Sequence, residues 1–328
     1  MKRMLLPALL LLTGQTPLPD TPASQQEVQL ATKAAGQDLT EPLFLCRADS
    51  WQVVRQAMTT ADQWQKPARA FDNLFFVGNA FVGVWVLKTS AGLILFDATE
   101  TQEEARDHLV PGLRALGLDP ATIHTVVVTH GHWDHFGGAA WLQRTYGAHV
   151  ALSAADWDLI ESLPQGAPER HAAELPKRDI VVADGQKLRL GDTEVTLYVT
   201  PGHTPGTVSA IVPAKLGGKA IPLSLLGSVA FPVALEPTAR AGGLLAYDRS
   251  VQRFSRISLA AGAQGIINTH IFADGTRRKL DALADETAGK TAGKRRNPFL
   301  IGADATARYY DVLHHCLLAA QARLAKAP

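Results

Sequence analysis

Cysteine is almost absent: Cys46 and Cys316 are the only two in 328 residues. Neither sits in a C-x-x-C pair or at a metal-ligand spacing, so thiolate-based metal sites are excluded. In an exported chain the two could form one disulfide, or they could be two buried free thiols, and both readings stand. Net charge is nearly absent as well, since 32 Lys and Arg against 31 Asp and Glu leave +1. Nothing in that balance points to a nucleic-acid or membrane-surface partner. Internal repeats and long low-complexity linkers are lacking. The one marked apolar run, Met4 to Leu12, is too short for an ordinary membrane span, so stable membrane insertion is not expected. It follows Lys2 and Arg3 and precedes a polar segment, which is the layout of a secretory signal peptide. No A-x-A site is evident, so the cut is placed between Gly14 and Ala23, giving a signal segment of about 1–23. No Cys follows the apolar run to accept a lipid. Export, to a periplasm, is the expectation; a disordered hydrophobic tail is the plainer alternative.

The chain is 46% hydrophobic and 19% charged, enough for a large core. Residues 24–69 have weak periodicity and read as an irregular or helical arm. From about residue 70 to 328 the pattern is that of one domain. Asn73 to Val77, Val82 to Lys88 and Leu93 to Phe96 read as strands, with Ser90-Ala91-Gly92 as a turn. Thr101 and Glu104 fit a capping box for a helix toward Leu116, which Pro111 should kink or divide. Thr125 to Val128 is a strand, Gly137 to Tyr146 a helix and His149 to Leu152 a strand, after which Ser153 caps Ala154 to Leu163. Ile180 to Val182, Lys187 to Leu190 and Glu194 to Val199 read as a β-meander, and Thr207 to Val212 and Leu223 to Leu226 add strands. Tyr247 to Ala261 suits a helix, Gly265 to Asn268 a strand and Ala305 to Ala325 a terminal helix, with Gly289 to Asn297 an exposed basic loop. Strands punctuated by helices in both halves suggest two packed sheets with helices outside.

What the chain does have is the run His130-Gly131-His132-Trp133-Asp134-His135, at the end of the strand Thr125 to Val128. Imidazole and carboxylate are good zinc ligands. Residues i and i+2 of an extended stretch face one side, so His130 and His132 can approach one ion. Asp134 and His135 follow where the chain turns into a helix and suit a neighbouring ion. His203 stands in Thr200-Pro201-Gly202-His203-Thr204-Pro205-Gly206, a loop that pushes one side chain forward, and His270 ends another strand. Either alone reads as an ordinary satisfied histidine. Beside the dense cluster they complete two three-ligand sets, each with open positions, as in catalytic zinc sites. His108, His124, His149, His171, His314 and His315 lack such settings and read as structural or surface residues.

At these residues the chain resembles the metallo-β-lactamase superfamily. The match takes in Phe96-Asp97-Ala98, Thr129 to Gly138, Thr200 to Gly206 and His270. The resemblance implies an α+β fold, an αββα four-layer sandwich, with two Zn2+ at the sheet edges. On it His130, His132 and His203 hold one zinc, Asp134, His135 and His270 the other, and Asp97 orients ligands. Glyoxalase II, RNase Z-type enzymes and acyl-homoserine lactonases usually carry a metal-bridging Asp between the last two ligand histidines. The stretch Leu223 to Phe231 has no acidic residue and no Cys. What is left is similar to subclass B3 metallo-β-lactamases, which use the same six ligands and have Ser near Ser228. The tail Asn297-Pro298-Phe299 before a long helix is similar too. Further serines common in that subclass are replaced here by Val229, Ala230 and Phe231.

The function so implied is hydrolysis of β-lactams by a hydroxide shared between two zinc ions, with Asp134 orienting it and Ser228 touching the substrate. Trp133, Phe136, Phe231 and Phe272 are candidate pocket walls. Another small substrate, a lactone or ester, is the nearest rival. A zinc-binding or scaffold protein that has lost catalysis is the rival from another class, and a nuclease fits least, for want of a basic clamp. The partner expected is a small molecule, with no nucleic acid; iron or manganese also suit these donors, and oligomeric state is left open.

Overall fold

The computed structural model describes residues 17–167, 173–231, 237–287 and 296–325. Among them, twelve strands form two sheets. The first holds β1 (Ala68–Arg69), β2 (Leu74–Gly78), β3 (Gly83–Thr89), β4 (Gly92–Phe96), β5 (Ile123–Val127), β6 (His149–Ser153) and β7 (Ile180–Val182), in that order. The second holds β8 (Gln186–Leu190), β9 (Thr193–Val199), β10 (Val208–Leu216), β11 (Lys219–Leu225) and β12 (Ile266–Ile267), in the order β12-β11-β10-β9-β8. β4, β5, β6 and β7 pair in parallel, while β2, β3 and β4 are antiparallel.

The alternation of side chains along each strand divides the core into layers. Phe76, Trp85, Leu87, Ile94 and Phe96 of the first sheet meet Val195, Leu197, Ala210, Val212 and Leu225 of the second. Their sequence neighbours Phe75, Val77, Val84, Val86 and Leu95 face the other way, onto Leu109, Leu113, Leu142, Trp157 and Ile160 of covering helices. The outer face of the second sheet, through Tyr198 and Ile211, packs against Tyr247, Val251, Phe254, Tyr310 and Leu313. These come from the helices Pro237–Ala260 and Ala303–Leu324. The result is the helix–sheet–sheet–helix sandwich expected from the sequence.

Several local expectations shift. Ile180–Val182 is not part of a meander: it pairs in parallel with β6 in the first sheet, while β8 opens the second. The three short strands look alike in sequence, and only the crossing between sheets tells them apart. His124 lies within β5 rather than before it. The stretch after Thr101 is divided ahead of Pro111 into Gln102–Glu104, a π turn over Ala105–Leu109 and Val110–Ala115. Proline has no N–H and crowds the carbonyl four residues back, and the wider turn relieves this. Thr101 accepts from the Glu104 amide as a cap. The helix Thr276–Thr287 was not anticipated.

The N-terminal segment is helical, with Pro22–Ala35, a 3-10 turn at Glu41–Cys46 and Ser50–Met58. Thr21 and Ser24 cap the first helix reciprocally, with Pro22 in its first turn. This segment lies against the terminal helix Ala303–Leu324. Cys46 and Cys316 are bridged, with Cα atoms 4.3 Å apart. Arg323, which is buried, bonds Asp20 at 2.8 Å and the Cys46 carbonyl at 2.7 Å. Residues 1–16, His171 and most of the Gly289 to Asn297 loop lie outside the described residues. Among the described residues no helix is long and apolar enough to cross a membrane.

Candidate metal centre

Three strand ends converge at one edge of the sandwich. The chain leaves β5 through Val128 and Thr129 into His130, and His132 sits extended just before the helical turn Trp133–Phe136. His203 follows β9 and His270 follows β12. At Gly202, φ is 153° and a Cβ would stand 2.2 Å from the Tyr247 Cβ, so only glycine brings the His203 loop this close to its covering helix.

Two clusters of donors result. His130, His132 and His203 form one, and Asp134, His135 and His270 the other; within each, one ligand atom per residue lies within 4.8 Å of the others. The His203 Nε2 and His132 Nδ1 atoms are 2.9 Å apart. His135 Nε2 stands 3.1 Å from His270 Nε2 and 3.3 Å from Asp134 Oδ2. Two donors on one tetrahedral zinc, each bonded at roughly 2.0–2.1 Å, lie about 3.3 Å apart. The clusters adjoin, since the His130 and His135 ring centroids are 3.9 Å apart.

The outer hydrogen bonds decide which ring nitrogen faces inward. Nδ1 of His130 lies 3.0 Å from the Gly227 carbonyl, that of His203 2.9 Å from the Ala230 carbonyl, and that of His270 3.2 Å from the Phe81 carbonyl. A carbonyl only accepts, so each Nδ1 carries the proton and each Nε2 keeps a free lone pair. His135 Nδ1 meets Asp97 Oδ2 at 2.6 Å, which fixes a proton on Nδ1 and turns Nε2 toward the cluster. Asp97 also accepts from the Thr129 amide at 2.6 Å and the Thr129 hydroxyl at 3.0 Å. It does so with φ 69°, a left-handed conformation that Asp tolerates better than most residues. Nε2 of His130 is buried with no hydrogen-bond partner. A buried orphan acceptor beside five other donors is a cost that a cation removes. The residues fit a pair of zinc-like ions.

Electrostatics agree. Burial, reinforced by neighbouring imidazoles, holds His130 and His203 well below the usual histidine range. Burial and the charge on His135 bring His270 down to about 4. His135 goes the other way: burial opposes its charge, but Asp134 and Asp97 outweigh that and raise it to about 10. Burial would raise Asp134, yet His135 beside it holds the carboxylate ionised, below its ordinary range. Without metal, the centre therefore holds its positive charge on His135.

The six residues expected as ligands are thus brought together, and Asp97 stands behind His135. Ser228 is buried between the two carbonyls that hold His130 and His203, and its own carbonyl accepts from the Tyr247 hydroxyl. Of the candidate pocket walls, Phe272 lies 5.5 Å from the His270 ring, and Phe81, unforeseen, lies 4.8 Å from it. Phe136 is fully buried in the core under the first sheet and lines nothing. The backbone acceptors Gly227, Ala230 and Phe81 have no signal in sequence, because every residue carries a carbonyl.

The family model of the metallo-beta-lactamase superfamily matches residues 77–215. Over residues 77–215 the chain matches a metallo-β-lactamase superfamily domain. Among solved structures it is similar to a subclass B3 metallo-β-lactamase of Bradyrhizobium japonicum, with 25% identity, a TM-score of 0.61, and cover of 77% of this chain and 92% of that one. A mutant metallo-β-lactamase from Legionella gormanii, 18% identical, matches in fold at a TM-score of 0.70 over 81% of this chain and 98% of that one. By sequence, the chain is 39% identical over 84 residues to a hydroxyacylglutathione hydrolase of Acidiphilium cryptum, covering 26% of this chain and 28% of that protein. The chain spans about a third of the length of the curated relatives it matches first. The two sets of relatives share the superfamily and differ in the substrate that their names give.

Proposed function

We propose that this chain is a dizinc hydrolase of the subclass B3 type, opening a cyclic amide, most plainly a β-lactam. The observation that carries this reading is that, among the described residues, the stretch Leu223 to Phe231 brings no carboxylate to the centre. The stretch after β11 runs beside His130 and His203 and supplies the Gly227 and Ala230 carbonyls and Ser228. From Leu226 to Phe231 it has no acidic residue, where glyoxalase II-type enzymes usually place a bridging Asp.

Zinc at such donors supplies Lewis acidity and brings the ionisation of water near neutral pH. His130, His132 and His203 would hold one ion, and Asp134, His135 and His270 the other. Asp134, ionised and 12% exposed at its side chain, would orient a nucleophilic water and take its proton. The Nδ1 hydrogen bonds keep four of the imidazoles from rotating during turnover. Phe81 and Phe272 give the His270 side an apolar wall that excludes water. Ser228 is a candidate substrate contact, since its hydroxyl makes only a long 3.4 Å bond to the Ala230 amide. Export to a periplasm, drawn from the N-terminal pattern, fits the same reading.

The test is turnover of penicillin, cephalosporin, carbapenem, lactone and hydroxyacylglutathione thioester panels by zinc-loaded protein, with and without chelator. β-Lactam turnover should vanish with chelator. His203→Ala should reduce it by more than roughly 100-fold, the upper end of what loss of a mere outer partner costs. No β-lactam turnover alongside good lactone or thioester turnover would sink the proposal in favour of its nearest rival. A zinc-replete protein inert on every panel would favour the catalytically silent alternative.

A further inference from the structure

Asp156 belongs to none of the motifs, yet it ties together the loops that carry the first donor cluster. It lies in the helix Ala154–Glu161 and is 0% exposed. Its Oδ2 accepts from the Gly131 amide at 2.8 Å, and Gly131 separates His130 from His132. The same oxygen accepts from the Thr204 hydroxyl at 2.7 Å, and Oδ1 accepts from the Gly206 amide at 2.8 Å. Thr204 is next to His203. One carboxylate therefore joins two loops more than seventy residues apart in the chain (131 and 204). The close approach is built in. A Cβ on Gly206 would stand 2.0 Å from the Ser153 hydroxyl and 2.6 Å from the Asp156 amide, and one on Gly131 would meet Ile160 at 3.0 Å. The Ser153 hydroxyl in turn accepts from the Asp156 amide at 3.3 Å and caps the helix.

We infer that Asp156 is a positioning residue for the first metal position, setting the spacing of His130 and His132 against His203. It rests on the reading of the two clusters as metal sites. Asp97 holds His135 in the second cluster and also bonds the Thr129 backbone, next to His130. The Asp156 carboxylate bonds the loops of the first cluster. Loss of Asp156 therefore acts on the first position and spares the second. A carboxylate that merely stabilised the fold would weaken both alike.

The test is a chelator-competition zinc titration of the full chain, with thermal unfolding of the metal-free protein alongside. His203→Ala and His270→Ala assign the two binding steps to their clusters. Asp156→Ala is expected to weaken the first-cluster step by roughly 10–100-fold, the range for an outer partner of a ligand, and to leave the other step unchanged. Thr204→Val removes one hydroxyl donor and keeps the carboxylate and both glycine bonds. It is expected to give a smaller loss in the same step, and it carries the test if Asp156→Ala does not fold. Wild-type protein with two steps, and variants whose first step is unaltered, would overturn the role of Asp156 while leaving the metal centre standing. Equal weakening of both steps with a lowered melting temperature would overturn it as well. Wild-type protein that binds no zinc at the first cluster would remove the metal reading itself.

Discussion

Replacing Asp97 with Ala probes the brace of the second cluster with a magnitude set by its contacts. Asp97 is fully buried. Its carboxylate takes the Thr129 amide, the Thr129 hydroxyl and His135 Nδ1 at 2.6, 3.0 and 2.6 Å. The Thr129 hydroxyl keeps a neighbour in His130 Nδ1 at 3.2 Å. Two buried donors, the Thr129 amide and His135 Nδ1–H, are left without their acceptor. Each costs about 1–3 kcal/mol, a total of about 2–6 kcal/mol. With ~2.1 cal/mol/K per residue over roughly 300 residues, the unfolding entropy is ~0.6 kcal/mol/K, so a loss of about 4 kcal/mol lowers Tm by about 6 °C. Zinc affinity at Asp134, His135 and His270 should fall roughly 10–100-fold, because His135 is no longer held in the tautomer that faces inward. Thermal unfolding of metal-free protein and chelator competition read the two effects separately. A Tm drop under about 1 °C with unaltered zinc binding at that cluster would refute the reasoning.

The metal-free protein should show a bell-shaped dependence of stability on pH. His135 is raised to about 10 in the folded state, so its contribution is full below the unfolded pKa of about 6.5 and is lost as pH climbs toward 10. His130, His203 and His270 are depressed, so their penalty appears as pH falls below about 6.5 and the unfolded chain takes up protons. Melting curves from pH 5 to 10 check this; a flat alkaline limb without zinc would contradict the charge assigned to His135. The bridge between Cys46 and Cys316 closes a loop with a sequence separation of 270. Chain entropy puts its worth at about 5–6 kcal/mol as an upper bound. The double replacement by Ala should lower Tm and expose the segment before residue 69 to protease, and identical proteolysis of both forms would count against that docking.

The ligands were legible in the sequence because their signal is local. Imidazoles at i and i+2 after a β run, a carboxylate at a helix entry, and a histidine framed by Gly and Pro each declare their direction from neighbours along the chain. The sandwich was legible for the same reason, since alternation in β2 to β5 follows from the period of a strand. What tertiary structure alone decided is non-local. Ile180–Val182 joins the first sheet because it pairs with β6, and nothing within its three residues says so. Cys46 meets Cys316 because the N-terminal helices lie along the terminal one. The ring nitrogen facing each cluster is chosen by carbonyls of Gly227, Ala230 and Phe81, groups that every residue has. Asp156 reads in sequence as an ordinary first-turn helix residue, and only the meeting of two distant loops at its carboxylate gives it a part in the metal centre.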